Sequence, residues 1–98
     1  MNHNDKYNII ELYDALVMLN SKDEVRKFIL DLCTPQEIKV LIERWKVAQL
    51  LAREELSYRE INNITGASLT TIGRVARFLK EEQNQGYKLI LDKIRRLQ

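Results

Sequence analysis

Apolar residues return along this chain at helical spacing, separated by short polar breaks. Tyr7, Ile10, Tyr13, Ala15, Leu16, Val17 and Leu19 predict a first helix from about Lys6 to Leu19. It is apolar over much of its circumference, so it needs burial on more than one side. A second helix is predicted from Lys22 to Leu32, burying Val25, Phe28, Ile29 and Leu32. A third runs from Pro35 to about Arg53, with Ile38, Leu41, Ile42, Trp45, Ala48 and Leu51 inward. After Lys80 the polar run EEQNQG breaks the pattern, with Gly86 as a stop. A last helix, Tyr87 to Leu97, presents Leu89, Ile90, Leu91, Ile94 and Leu97.

Three of the breaks carry the same punctuation. Ser21 and Glu24, Thr34 and Glu37, and Ser57 and Glu60 are all S/T-x-x-E pairs followed by apolar residues. In that spacing the hydroxyl accepts from an unpaired amide of the first turn, and the glutamate returns the bond. Pro35 adds to the second signal, because its missing amide costs nothing at the first helical position.

The third signal opens a helix–turn–helix pattern, SYREINNITGASLTTIGRVARFLK, Ser57 to Lys80. Its helices are predicted at Ser57–Thr65 and Leu69–Lys80. Gly66 tolerates the positive φ of a tight turn, and Ser68 can cap the second helix. Ile61, Ile64, Leu69, Ile72 and Val75 fall where two short crossing helices touch. Between them stand Arg59, Asn62, Ser68, Thr70, Thr71 and Arg74, side chains suited to bases and phosphates. The second helix adds Arg77 and Lys80 and has no acid before Glu81. The same pattern also suits an ordinary helical hairpin, and the one-signed charge tilts it toward DNA.

Charge placement agrees with this. Residues 1–37 hold four basic and seven acidic side chains, whereas residues 38–98 hold twelve basic and seven acidic. The net +2 of the 98-residue chain thus hides a basic half that contains the motif, as a phosphate-binding footprint requires.

Other chemistries find little support. The one cysteine, Cys33, excludes an intrachain disulfide and reads as a small buried hydrophobe at a helix end. The one histidine, His3, sits in a polar tail. No cluster of metal-ligand residues stands out, no cofactor is implied, and scattered carboxylates without a convergent histidine or thiol argue against an enzyme. Without an apolar run of membrane length or a signal-peptide pattern, a cytoplasmic location is expected.

The length predicts one all-α domain, residues 1–98, with six helices. Six such helices carry more apolar surface than one small core can cover. A two-fold homodimer with interlocked chains solves this, and would place two reading helices for a palindromic double-stranded site. A compact monomeric bundle is the other solution.

From Thr34 to about Leu79 the chain resembles the tryptophan repressor family, and within it the repressor-related branch called YerC/YecD. The matching pieces are TPQE, the pair Glu43–Arg44, ELSYRE and GASLTTIGR, in order and covering about half the chain. The resemblance implies an intertwined helical dimer whose DNA contacts come from positions matching Arg59, Asn62, Leu69, Thr70 and Gly73. The position of Asn62 is often lysine in the family, so a different operator is implied.

In that family two arginines sandwich the indole of bound tryptophan and pair with its carboxylate. Arg44 and Arg74 match them. Val75 stands where glycine leaves room for the ring, and Phe78 where serine helps hold the amino group. The resemblance with these departures implies a closed pocket and a DNA-binding regulator, a repressor, not controlled by tryptophan. Two alternatives stay open: a protein-interaction module on the same fold, or a repressor responding to another small anion held by Arg44 and Arg74.

Overall fold

A computed structural model describes residues 6–81 and 83–97 of the chain; His3 lies outside them. Six α-helices follow one another: α1 Leu12–Val17, α2 Lys22–Leu32, α3 Pro35–Ala52, α4 Tyr58–Thr65, α5 Leu69–Glu81 and α6 Gly86–Leu97. The chain divides into two compact units, Met1–Ile38 and Lys39–Gln98.

The helix starts are built as the punctuation requires. At Thr34 the hydroxyl accepts from the Glu37 amide at 3.1 Å, while the Glu37 carboxylate accepts from the Thr34 amide at 2.8 Å. Ser57 and Glu60 make the same reciprocal pair at 3.1 and 2.9 Å. Ser21 accepts from the Glu24 amide, but Glu24 reaches one residue further back, to the Asn20 amide at 2.8 Å. Glu37 and Glu60 are held below the usual carboxylate value of 4.5, first by the backbone amides of Thr34 and Ser57 and then by their hydroxyls. A carboxylate with a depressed folded-state pKa contributes stability above its unfolded value and loses it as pH falls through the folded one. Denaturant titrations across pH should therefore show no contribution from these caps to pH dependence between 7 and 5, and a decline below about 4.5. The double variant Glu37→Gln, Glu60→Gln should flatten that decline; an unchanged acid limb would contradict the assignment.

The first helix is shorter than its apolar pattern suggests. Asn8 takes a left-handed conformation at φ 55, and Glu11 caps its own helix by accepting from the Tyr13 amide at 3.2 Å. Helical backbone thus begins at Leu12, and Met18 ends it. Gly86, expected as a stop, instead opens α6; the turn before it is made by Gln85, at φ 61.

The second unit holds the core. Val47 and Ala48 of α3, Ile61 of α4, Ala67 of the turn, and Ile72 and Val75 of α5 are buried together. Trp45, Leu50, Leu51, Leu56 and Tyr87 pack around them, and the Trp45 and Tyr87 rings stack with centroids 6.4 Å apart. Two expected core positions do not join it: Ile64 and Leu69 are 61% and 60% exposed. Both flank the turn, where Ala67 takes the buried position.

α3 also buries a different set from the one expected. Val47 is fully buried, whereas Leu41 and Ile42 are about half exposed. The buried core residues of α3 lie only in its C-terminal half, which leaves Leu41 and Ile42 about half open. In the first unit neither α1 nor α2 buries a single side chain. Val25 and Leu32 are exposed, and Phe28, Ile29 and Cys33 reach only partial burial.

Candidate functional site

α4 and α5 pack against each other across a three-residue turn whose polar groups are spent on bracing it. Gly66, at φ 76, donates its amide to the Asn62 carbonyl at 2.8 Å. An L residue would be strained there. Asn62 Nδ2 donates to the Ala67 carbonyl at 2.7 Å. The Thr65 hydroxyl donates to the Ile61 carbonyl at 2.8 Å and accepts from the Ala67 amide at 3.0 Å. Ser68 Oγ accepts from the Thr71 amide and donates to the Thr71 hydroxyl, both at 3.1 Å. With Ile61, Ala67, Ile72 and Val75 locked below, the angle between the two helices is set by the chain itself.

The outer surface of this pair is basic. Arg59, Ser68, Leu69, Thr70, Arg74, Arg77 and Lys80 are exposed. Asn62, Thr71 and Gly73 are partly buried, the first two with polar atoms already committed to the turn. Arg74 and Arg77 lie over the Phe78 ring, their guanidinium carbons 4.5 and 5.3 Å from its centroid. Such cation–π contacts use no hydrogen bond, so the guanidinium N–H groups are left for other acceptors.

Arg44 and Arg74 do come together, on the wall of a cavity of about 300 Å³ completed by Phe78, Leu79, Asn84, Gln85, Gly86, Tyr87 and Lys88. The expectation that Val75 and Phe78 both fill this site is corrected for Val75, which does not line the cavity. Val75 is only 1% exposed and belongs to the core, because one residue along a helix turns the side chain by about 100° from Arg74. Phe78 does reach the site, but as a wall stacked on Arg74. Arg44 Nε is buried with no hydrogen-bond partner among the described residues. The contribution of Asn84 to Lys88 was not anticipated, since these residues fall in the polar break and the first turn of α6, where no local motif points to a cavity.

Among the described residues no group of three or more His, Cys, Asp or Glu is placed to hold a metal ion. No described helix is long and apolar enough to cross a membrane.

Comparison with known proteins agrees with this geometry. The family model described as Trp repressor protein matches residues 7–95. The chain is 39% identical over 85 residues to YerC of Bacillus subtilis (strain 168), an uncharacterized protein, covering 87% of this chain and 80% of the relative. It superposes with a TM-score of 0.79 on a crystal structure from Staphylococcus aureus described as a candidate Trp repressor. The identity is 35%, over 95% of this chain and 89% of that one. A TrpR-like protein from Eubacterium eligens ATCC 27750 gives a TM-score of 0.78 at 37% identity, over 93% and 95% of the two chains.

Proposed function

We propose that this chain, which belongs to the Trp repressor family, is a homodimeric, sequence-specific DNA-binding repressor, cytoplasmic and without enzymatic activity. One observation carries the reading: a rigidly braced helix pair presents Arg59, Thr70, Arg74, Arg77 and Lys80 on its outer surface, with no acid on α5 before Glu81. In this proposal α4 and α5 form the helix–turn–helix. The start of α5 enters the major groove, and Arg59, Arg77 and Lys80 hold phosphates. Thr70 reads base edges. Asn62 acts mainly by fixing the turn, and Ser68 and Thr71 by capping α5. Two copies related by a two-fold axis read a palindromic operator. The test is selection of bound fragments from random duplex DNA, followed by affinity measurements on the selected site. An inverted repeat should emerge; no enrichment would overturn the reading.

Arg44 and its cavity favour a second reading of control, a response to a small anion other than tryptophan. A buried guanidinium nitrogen without a partner among the described residues is costly, and a carboxylate or phosphate is its natural complement. Phe78 already supplies the aromatic face over Arg74 that a bound indole would supply. Calorimetry with L-tryptophan should show no heat of binding and leave operator affinity unchanged. Titration with inorganic phosphate and small carboxylates should produce binding that Arg44→Gln abolishes. Tight tryptophan binding that raises operator affinity would overturn tryptophan independence.

A further inference from the structure

The reading surface contains two residues that basic-face electrostatics does not explain. Leu69 opens α5 with 60% of its surface exposed, on the outermost turn of the helix. Gly73 stands four residues on, so the two share a face. Gly73 is inside the helix, not at an end, and its backbone is ordinary α. A glycine there costs helix stability relative to alanine. Nothing among the described residues repays that cost, because a Cβ built at Gly73 would meet none of their atoms within 4 Å. The missing side chain makes room for something outside the protein. Leu69 and Gly73 together form an apolar seat with an open floor, next to Thr70, Arg74 and Arg77.

We propose that this seat takes the 5-methyl group of a thymine in the major groove, one per half-site. The proposal rests on the DNA-binding reading above and names what part of that surface recognises. The basic side chains around the seat select a polyanion as the partner. Residues at the start of a reading helix are the ones that reach base edges. Thymine alone among the four bases offers a methyl group in that groove, and aliphatic contact is how it is distinguished. Thr70, adjacent to Leu69, can add its hydroxyl to the same or the neighbouring base pair.

The experiment uses the selected site, with each thymine replaced in turn by deoxyuracil. This removes the methyl and leaves base pairing intact. For the parent protein, one symmetric position should weaken binding about fourfold per half-site and about fifteenfold when both are replaced, the size of one buried methyl-sized group. Leu69→Ala should bind the thymine and uracil forms of that position equally, so that the two changes are not additive. Gly73→Ala should raise the melting temperature of the free protein by a few degrees and still weaken the parent site, which separates the contact from any folding defect. Two results would overturn the proposal while leaving the DNA-binding reading intact: a selected site without a thymine-dependent position, or equal sensitivity of parent and Leu69→Ala to every uracil substitution. Failure to select any DNA would overturn both.

Discussion

Raising the salt concentration from 50 to 200 mM should weaken binding to the selected site by about a thousandfold. Arg59, Arg77 and Lys80 are exposed on the outer surface of α4 and α5. In the proposed dimer they make six phosphate contacts, and each releases condensed counterions. Six contacts predict a slope of log affinity on log salt of roughly −5. Arg77→Ala removes two contacts per dimer, so it should flatten that slope by about two and weaken all sequences alike. The Arg77 guanidinium carbon lies over the Phe78 ring, 5.3 Å from its centroid, a contact that consumes none of its N–H donors. Thr70→Ala should do the reverse. It leaves the slope unchanged and shifts preference at one base pair per half-site by about 1–3 kcal/mol. Fluorescence anisotropy over a salt series separates these effects. A slope near zero, or a Thr70→Ala protein with the parent's preferences, would mean that the exposed basic face is not the DNA surface.

What could be read from the sequence was mostly local. Capping pairs lie three residues apart, so Thr34–Glu37 and Ser57–Glu60 announce their helices without tertiary information. The turn at Gly66 is legible for the same reason. The start of α1 was not, because a left-handed asparagine and a self-capping Glu11 leave no apolar gap in the pattern. Periodicity also failed to say which side of α3 meets the core. That helix is apolar on more than one side, and only contact with α4 and α5 selects Val47 over Leu41. The cavity illustrates a third limit. Arg44 and Arg74 were recognisable by resemblance, but its other walls come from residues 84–88, brought there by the chain reversal before α6. The inward turn of Val75 follows from helix geometry once α5 is anchored by Ile72, not from its position beside Arg74.

The protein should sediment at micromolar concentration as one species of twice the 11.6 kDa chain mass, with no folded monomer. Buried side chains among the described residues are confined to the second unit. The first unit contains a six-residue helix and an eleven-residue helix in which no side chain is fully buried. Helices of that length do not hold in water without packing. Val17, at 82% exposed, together with Tyr13, Met18 and Val25, supplies apolar surface of the kind that a stable chain covers. α3 adds Leu41 and Ile42, and α6 adds Leu89 and Ile90. A second copy offers the same surface in return, as a two-fold interface demands. Folding is then coupled to association, so the melting temperature should rise with protein concentration. Ile42→Asp distinguishes this from a monomer. At a site half open to water, such a change alters stability by no more than about 0.5 kcal/mol. In the dimer it places a carboxylate against apolar partners, at a cost of several kcal/mol per copy, and the protein should be largely unfolded at micromolar concentration. A folded 11.6 kDa species, with Ile42→Asp as stable as the parent, would sink the dimer and with it the palindromic site.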